Sequence, residues 1–111
     1  MTETPIDRAT FAELQETAGA DFVAELVTTF LEEAPQMLAE LRSAQAEQAA
    51  DRFRRAAHSL KSNSLTFGAL QLGMLARALE LGGLGADGAA LDTIEAEYAR
   101  AAAALRELCH G

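Results

Sequence analysis

Cysteine, proline and lysine are nearly missing from this chain: Cys109, Pro5, Pro35 and Lys61 are all it has. One cysteine excludes an intrachain disulfide and offers no metal-ligand spacing, so a reducing compartment suits the chain. Few prolines and few β-branched residues, set against abundant alanine and leucine, make helix the favoured local structure. No N-terminal stretch has the pattern of a signal peptide, and no apolar run approaches the ~18 residues that span a bilayer. Positive charge is scarce as well. Nine Lys and Arg face 17 Asp and Glu, a formal net charge of −8, which argues against a nucleic-acid partner because phosphate backbones demand a positive surface. The simplest location is the cytoplasm; a piece cut from a larger membrane receptor would read the same.

Half of the 111 residues are apolar, enough for one compact domain over residues 1–111 and too few for two. An initiating Met1 and helices that fill the chain are expected of a free-standing protein. The pattern predicts a short first helix from about Asp7, a side chain suited to cap free amides, with Ile6 and Phe11 at the two positions of a hydrophobic staple. It should stop near Ala18-Gly19. A longer second helix follows from about Asp21, with Phe22, Leu26 and Phe30 on one apolar line. Pro35 should kink this helix without splitting it, because the apolar period resumes at Leu38. The third helix is expected from about Glu47 to Thr66 and is closed by Gly68 in a left-handed conformation. A fourth runs from Ala69 to Leu81 with Leu72, Leu75, Ala76 and Leu79 inward. Gly82 to Gly88 reads as a flexible turn. The last helix has Leu91, Ile94, Tyr98, Ala101, Leu105 and Leu108 in alternating steps of three and four. Met37 and Met74 read as core fillers, and His110 as a frayed terminal residue. The expected fold is all-α: an antiparallel up-down four-helix bundle with a short additional N-terminal helix, monomeric because its helices can bury their apolar faces among themselves.

On the third helix, at about 100° per residue, Phe53, Ala56, Ala57, Leu60, Ser64 and Phe67 form the inward stripe, and His58 falls about 140° from Phe53, on the solvent side. A packed histidine has no need of that position. Arg54, Arg55, Lys61, Ser62 and Leu65 share its face. Four of the nine cationic side chains, Arg52, Arg54, Arg55 and Lys61, lie within ten residues around it. A neutral imidazole has one nitrogen with a free lone pair, so an exposed histidine flanked by cations can attack an acyl phosphate and hold the product. Lys61, one turn on, is placed to offset charge on the phosphoryl oxygens, with Arg54 as a second candidate. Arg55 and Arg54 can also steer an acidic partner, and Leu65 is a candidate apolar docking contact. Ser64, on the inward line, is expected to bond back to a carbonyl.

The run Ala57-His58-Ser59-Leu60-Lys61, the small residues Ser62 and Ser64, and then Phe67-Gly68-Ala69, Leu72, Leu75, Ala76, Leu79 and Glu80 resemble the signature of histidine-containing phosphotransfer (HPt) domains. Phe30 to Pro35 resembles that family's second helix. The resemblance implies a carrier in a two-component phosphorelay, with His58 the phosphoacceptor, receiving from an aspartyl phosphate on one receiver domain and passing to another. It implies response-regulator receivers and a hybrid or upstream histidine kinase as partners, and Mg²⁺ supplied by the receiver, with no cofactor or metal bound by this chain. The family pattern has glycine where this chain has Ser62, whose hydroxyl could donate to a phosphoryl oxygen. No Gly-rich phosphate loop is present, so no autokinase activity is expected; a hydrolase using His58 as base lacks a nucleophile or metal at a suitable spacing. The rival reading is a scaffold or inhibitor that docks receivers or kinases without carrying phosphate.

Overall fold

The computed structural model describes residues 4–110, and the side chain of His110, expected to fray, lies outside the described residues. Five α-helices follow one another: α1 (Arg8–Ala18), α2 (Ala20–Ala46), α3 (Ala50–Thr66), α4 (Leu70–Gly82) and α5 (Gly88–His110). Among the described residues there is no strand, and no helix is long and apolar enough to cross a membrane.

Each start and stop has a local cause. The Asp7 carboxylate accepts from the Thr10 amide at 3.3 Å and caps α1, while Ile6 and Phe11 are both buried beneath it. Pro35 leaves α2 in one piece, with its ring on the exposed side. Both α2 and α3 end in the same cap, a pair of backbone bonds reaching back into the last turn. After α3 the Gly68 amide donates to Leu65 and the Ala69 amide to Ser64, at 3.1 and 2.9 Å, with Gly68 at φ +81°. After α2 the Gln48 amide donates to Gln45 and the Ala49 amide to Ala44, at 3.2 and 2.8 Å, with Gln48 at φ +56°. That second cap moves the start of α3 from the expected Glu47 to Ala50. The glycine-rich turn contains one tight helical turn, Gly83–Gly85, and Asp87 then accepts from the Ala90 amide at 2.9 Å.

Cross-contacts fix the helix directions. Arg52 of α3 meets Glu40 of α2 while the Phe67 ring lies 5.3 Å from Phe30, so α2 and α3 run antiparallel. Arg42 bridges Asp92 and Glu95, and the Tyr98 hydroxyl donates to the Leu31 carbonyl at 3.3 Å, which sets α5 antiparallel to α2. Helices α3 and α4 are antiparallel too, with Glu80 beside His58 and Gly73 beside Leu65. The inward stripe of α3, from Phe53 to Phe67, is buried as its period predicts, and the Ser64 hydroxyl donates to the Leu60 carbonyl at 2.6 Å. Along α5, Leu91, Ile94, Ala101 and Leu105 are buried, whereas Tyr98 and Leu108 are half-buried.

Two expectations are corrected. Phe22 is 52% exposed although the next residue, Val23, is fully buried: the core line of this part of α2 runs through Val23, Val27 and Phe30, and Phe22 stands about 100° around the helix from Val23. Met74 is 65% exposed and is no core filler, because it projects from the side of α4 opposite Leu72, Ala76 and Leu79. Met37 does pack against the core.

Candidate functional site

The α3–α4 pair brings together three side chains. His58 stands on the outer face of α3 with its side chain 60% exposed, and Glu80 rises from α4 beneath it with only 18% exposed. The Glu80 carboxylate divides its two oxygens: Oε2 lies 2.7 Å from His58 Nδ1, and Oε1 accepts from Lys61 Nζ at 2.8 Å. His58 and Lys61 are one turn apart on α3, so a single carboxylate from the neighbouring helix spans both.

Electrostatics then sets the tautomer. The Lys61 ammonium, and after it the His58 imidazole, hold the Glu80 carboxyl below its ordinary value. An ionised carboxylate only accepts, so the imidazole nitrogen facing it must carry a proton. With Nδ1 protonated, the lone pair of the neutral ring is on Nε2, which points away from Glu80. The arrangement presents an exposed, oriented nitrogen nucleophile with an ammonium group alongside.

The sign of the pH dependence follows. A carboxyl held low when folded keeps the clamp closed as acid passes through the ordinary carboxylate range, and the stabilisation is lost only as pH falls through the lower folded value. The Glu80 carboxyl carbon, followed by NMR, should titrate with a midpoint below the reference of 4.5. Lys61→Met should raise that midpoint more than His58→Gln does, since Lys61 is the larger cause. A wild-type midpoint at or above the reference would mean that the clamp is not formed in solution.

The other candidates are spread around this centre. Ser62 is exposed one turn beyond His58, and its hydroxyl has no partner among the described residues. Arg54 is exposed and paired with Asp51 at 3.1 Å rather than with the clamp. Arg55 lies on the far side of the crest, lining an open groove of about 420 Å³ between α2 and α3 with Glu33, Gln36 and Ser59. Leu65 is partly exposed, with its tip set against Gly73 of α4. Sequence reasoning included Glu80 in the motif but gave it no task. Its signal was available: it is the one acidic residue of α4, directly after the inward Leu79.

No curated protein and no solved structure matches the chain. The family model described as Hpt domain does match, over residues 25–110, taking in α3, α4, α5 and most of α2, and the chain therefore belongs to the Hpt domain family.

Proposed function

We propose that this protein is a phosphorelay carrier that accepts a phosphoryl group on His58 Nε2 from a receiver-domain aspartyl phosphate and passes it to a second receiver. The Hpt family serves histidine phosphotransfer in two-component phosphorelays. The single observation that carries the reading to this chain is the Glu80 contact at His58 Nδ1, which leaves Nε2 as the exposed nucleophile. A histidine that served docking alone would need no partner to hold its proton.

The step balances without an added base. The Nε2 lone pair attacks phosphorus, an N–P bond forms, the P–O bond to the aspartate breaks, and the carboxylate departs with the electron pair. The Nδ1 proton stays against Glu80, whose negative charge offsets the positive charge the ring acquires. Lys61 gives one of its three donors to Glu80 and has two others to offer the phosphoryl oxygens. Ser62 lines the approach, and Arg54 can reach the phosphate only by leaving Asp51. Mg²⁺ is assigned to the receiver, an upstream or hybrid histidine kinase to the start of the relay, and the cytoplasm to its location, with the carrier working as a monomer.

The test is direct. Incubated with a phosphorylated receiver, the purified protein should gain acid-labile, base-stable phosphate whose ³¹P–¹⁵N coupling assigns it to Nε2 of His58. ATP alone should give no label. Absence of label across a panel of receivers, with binding retained, would favour a docking scaffold, and label on Nδ1 would overturn the tautomer argument.

A further inference from the structure

The outer face of α4 carries Leu70, Met74, Arg77 and Leu81 at spacings of four, three and four, a seam about 16 Å long with a single charge. Of the five large apolar side chains that stand exposed among the described residues, three lie on this seam, at 45%, 65% and 74%. Exposed apolar residues that mean nothing are scattered singly, and these are not. Arg77 is exposed as well and makes no ion pair among the described residues. The spacing is the repeat of a coiled-coil seam. It reads the same in both directions, with a leucine at each end and a long unbranched side chain at each inner place.

We infer that α4 pairs, antiparallel and reversibly, with the α4 of a second copy of this chain. A two-fold contact needs a surface complementary to itself, in which residue i meets j and j meets i. Turned end for end, the seam sets Leu70 on Leu81 of the second copy and Met74 on Arg77 of the second copy, each twice. The Arg77 stem covers the Met74 side chain while its guanidinium reaches the rim. Two features keep the pairing weak. A stable dimer buries about 800 Å² per side, more than the outer face of a 13-residue helix offers. Each copy also carries a net charge of −8, and the two Arg77 side chains repel at the middle of the seam. Salt therefore strengthens the pair, because screening removes the repulsion and leaves the apolar contact. Monomer and pair interconvert. In the pair, Leu70 of the second copy lies on Leu81, next in sequence to the Glu80 that meets His58 Nδ1. The second copy then crowds a protein phosphodonor but not a small one, so the pair is a resting form of the working monomer; this consequence alone rests on the carrier reading.

Sedimentation equilibrium of the full chain, with no phosphodonor present, tests the pairing. The wild type should move from monomer toward dimer mass across the micromolar-to-millimolar range, and more readily as NaCl rises from about 0.1 to 1 M, where the Debye length falls from about 10 to 3 Å. Leu70→Glu and Leu81→Lys should each associate at least tenfold more weakly, since each sets a charge against a leucine of the other copy. Mixed in equal amounts they should associate again, because the antiparallel register brings the new carboxylate onto the new ammonium. Arg77→Leu should tighten the pair at least tenfold, and Phe22→Glu, exposed but off the seam, should stay within twofold of wild type. A wild type that remains monomeric at millimolar concentration in 1 M salt would overturn the inference, as would a mixture no tighter than its two components. For the resting form, transfer per molecule from a phosphorylated receiver should fall at least threefold as the wild type passes its association midpoint, with labelling by phosphoramidate unchanged and no such fall in Leu70→Glu. Pairing without that fall would overturn the resting form. Failure of both donors to label wild-type His58 would strike the carrier reading, while sedimentation decides the pairing in either case.

Discussion

Replacing Glu80 with leucine should slow phosphoryl acceptance by roughly 10–100-fold, by analogy with the loss of carboxylates that orient metal-bound histidines, whereas His58→Gln should abolish it. In the variant, Nδ1 loses its acceptor, so the proton is shared between the two ring nitrogens and part of the population presents an N–H where the lone pair is needed. The ring also loses the negative charge that offsets its own on phosphorylation, and Lys61 loses the anchor that holds it one turn from the acceptor. Glu80→Gln separates these effects. Its amide oxygen can still accept from Nδ1–H, so the tautomer survives while the charge does not, and its rate should fall between those of wild type and Glu80→Leu. Imidazole ¹⁵N shifts report the tautomer independently of the rate: wild type and Glu80→Gln should share one pattern, and Glu80→Leu should show mixed protonation. Wild-type kinetics in Glu80→Leu would remove the carboxylate from the mechanism.

Gly68→Ala should be the most costly single-methyl addition at the glycines near the site, lowering stability by about 2–3 kcal/mol from the left-handed backbone and steric crowding combined. Gly68 is at φ +81°, and an added Cβ would sit 2.8 Å from the Asp7 carbonyl oxygen and 3.1 Å from Thr10 Cβ. The Asp7 amide also donates to the Gly68 carbonyl at 2.7 Å, so the backbone that would have to retreat is the one tying α1 to the α3–α4 turn. The same methyl at Gly73 meets Leu65 Cδ2 at 2.6 Å and Cγ at 2.9 Å, so the leucine must turn about its Cα–Cβ bond, which its exposed position on α3 allows at less cost than a backbone retreat. Removing a helix-interior glycine gains up to about 1 kcal/mol, which offsets part of the cost of moving Leu65, so Gly73→Ala should lose clearly less stability than Gly68→Ala. Thermal melts of the two variants give the contrast, and equal loss in both would show that close approach at Asp7 is not what Gly68 is for.

The inward stripes of α3 and α5 were legible because burial there follows one period, and Gly68 was legible because glycine announces a left-handed cap. The matching cap at Gln48 was not. Its residue type favours helix, and only the bonds from Gln48 and Ala49 back to Gln45 and Ala44 show where α2 stops. Met74 and Phe22 misled for a different reason: apolar residues can lie beside a core line without reaching the core, and which do so depends on neighbours that a one-helix pattern cannot supply. His58 could be read as a nucleophile from its own helix, but not which nitrogen would react. Which nitrogen holds the proton depends on Glu80, 22 positions away, and the antiparallel register of two helices decides whether the two meet.

The reactivity of His58 is therefore a property of tertiary structure. Its electronic partner sits on a different helix, so sliding α4 by one turn, about 5.4 Å, would leave the sequence and both helices intact and strip the imidazole of its proton holder. A nascent, misregistered or locally unfolded chain contains the same histidine but a different reagent, with neither nitrogen chosen and no ammonium held alongside. On the carrier reading proposed above, competence to carry phosphate would double as a readout of correct assembly, and a chain that has not finished folding would be silent in the relay.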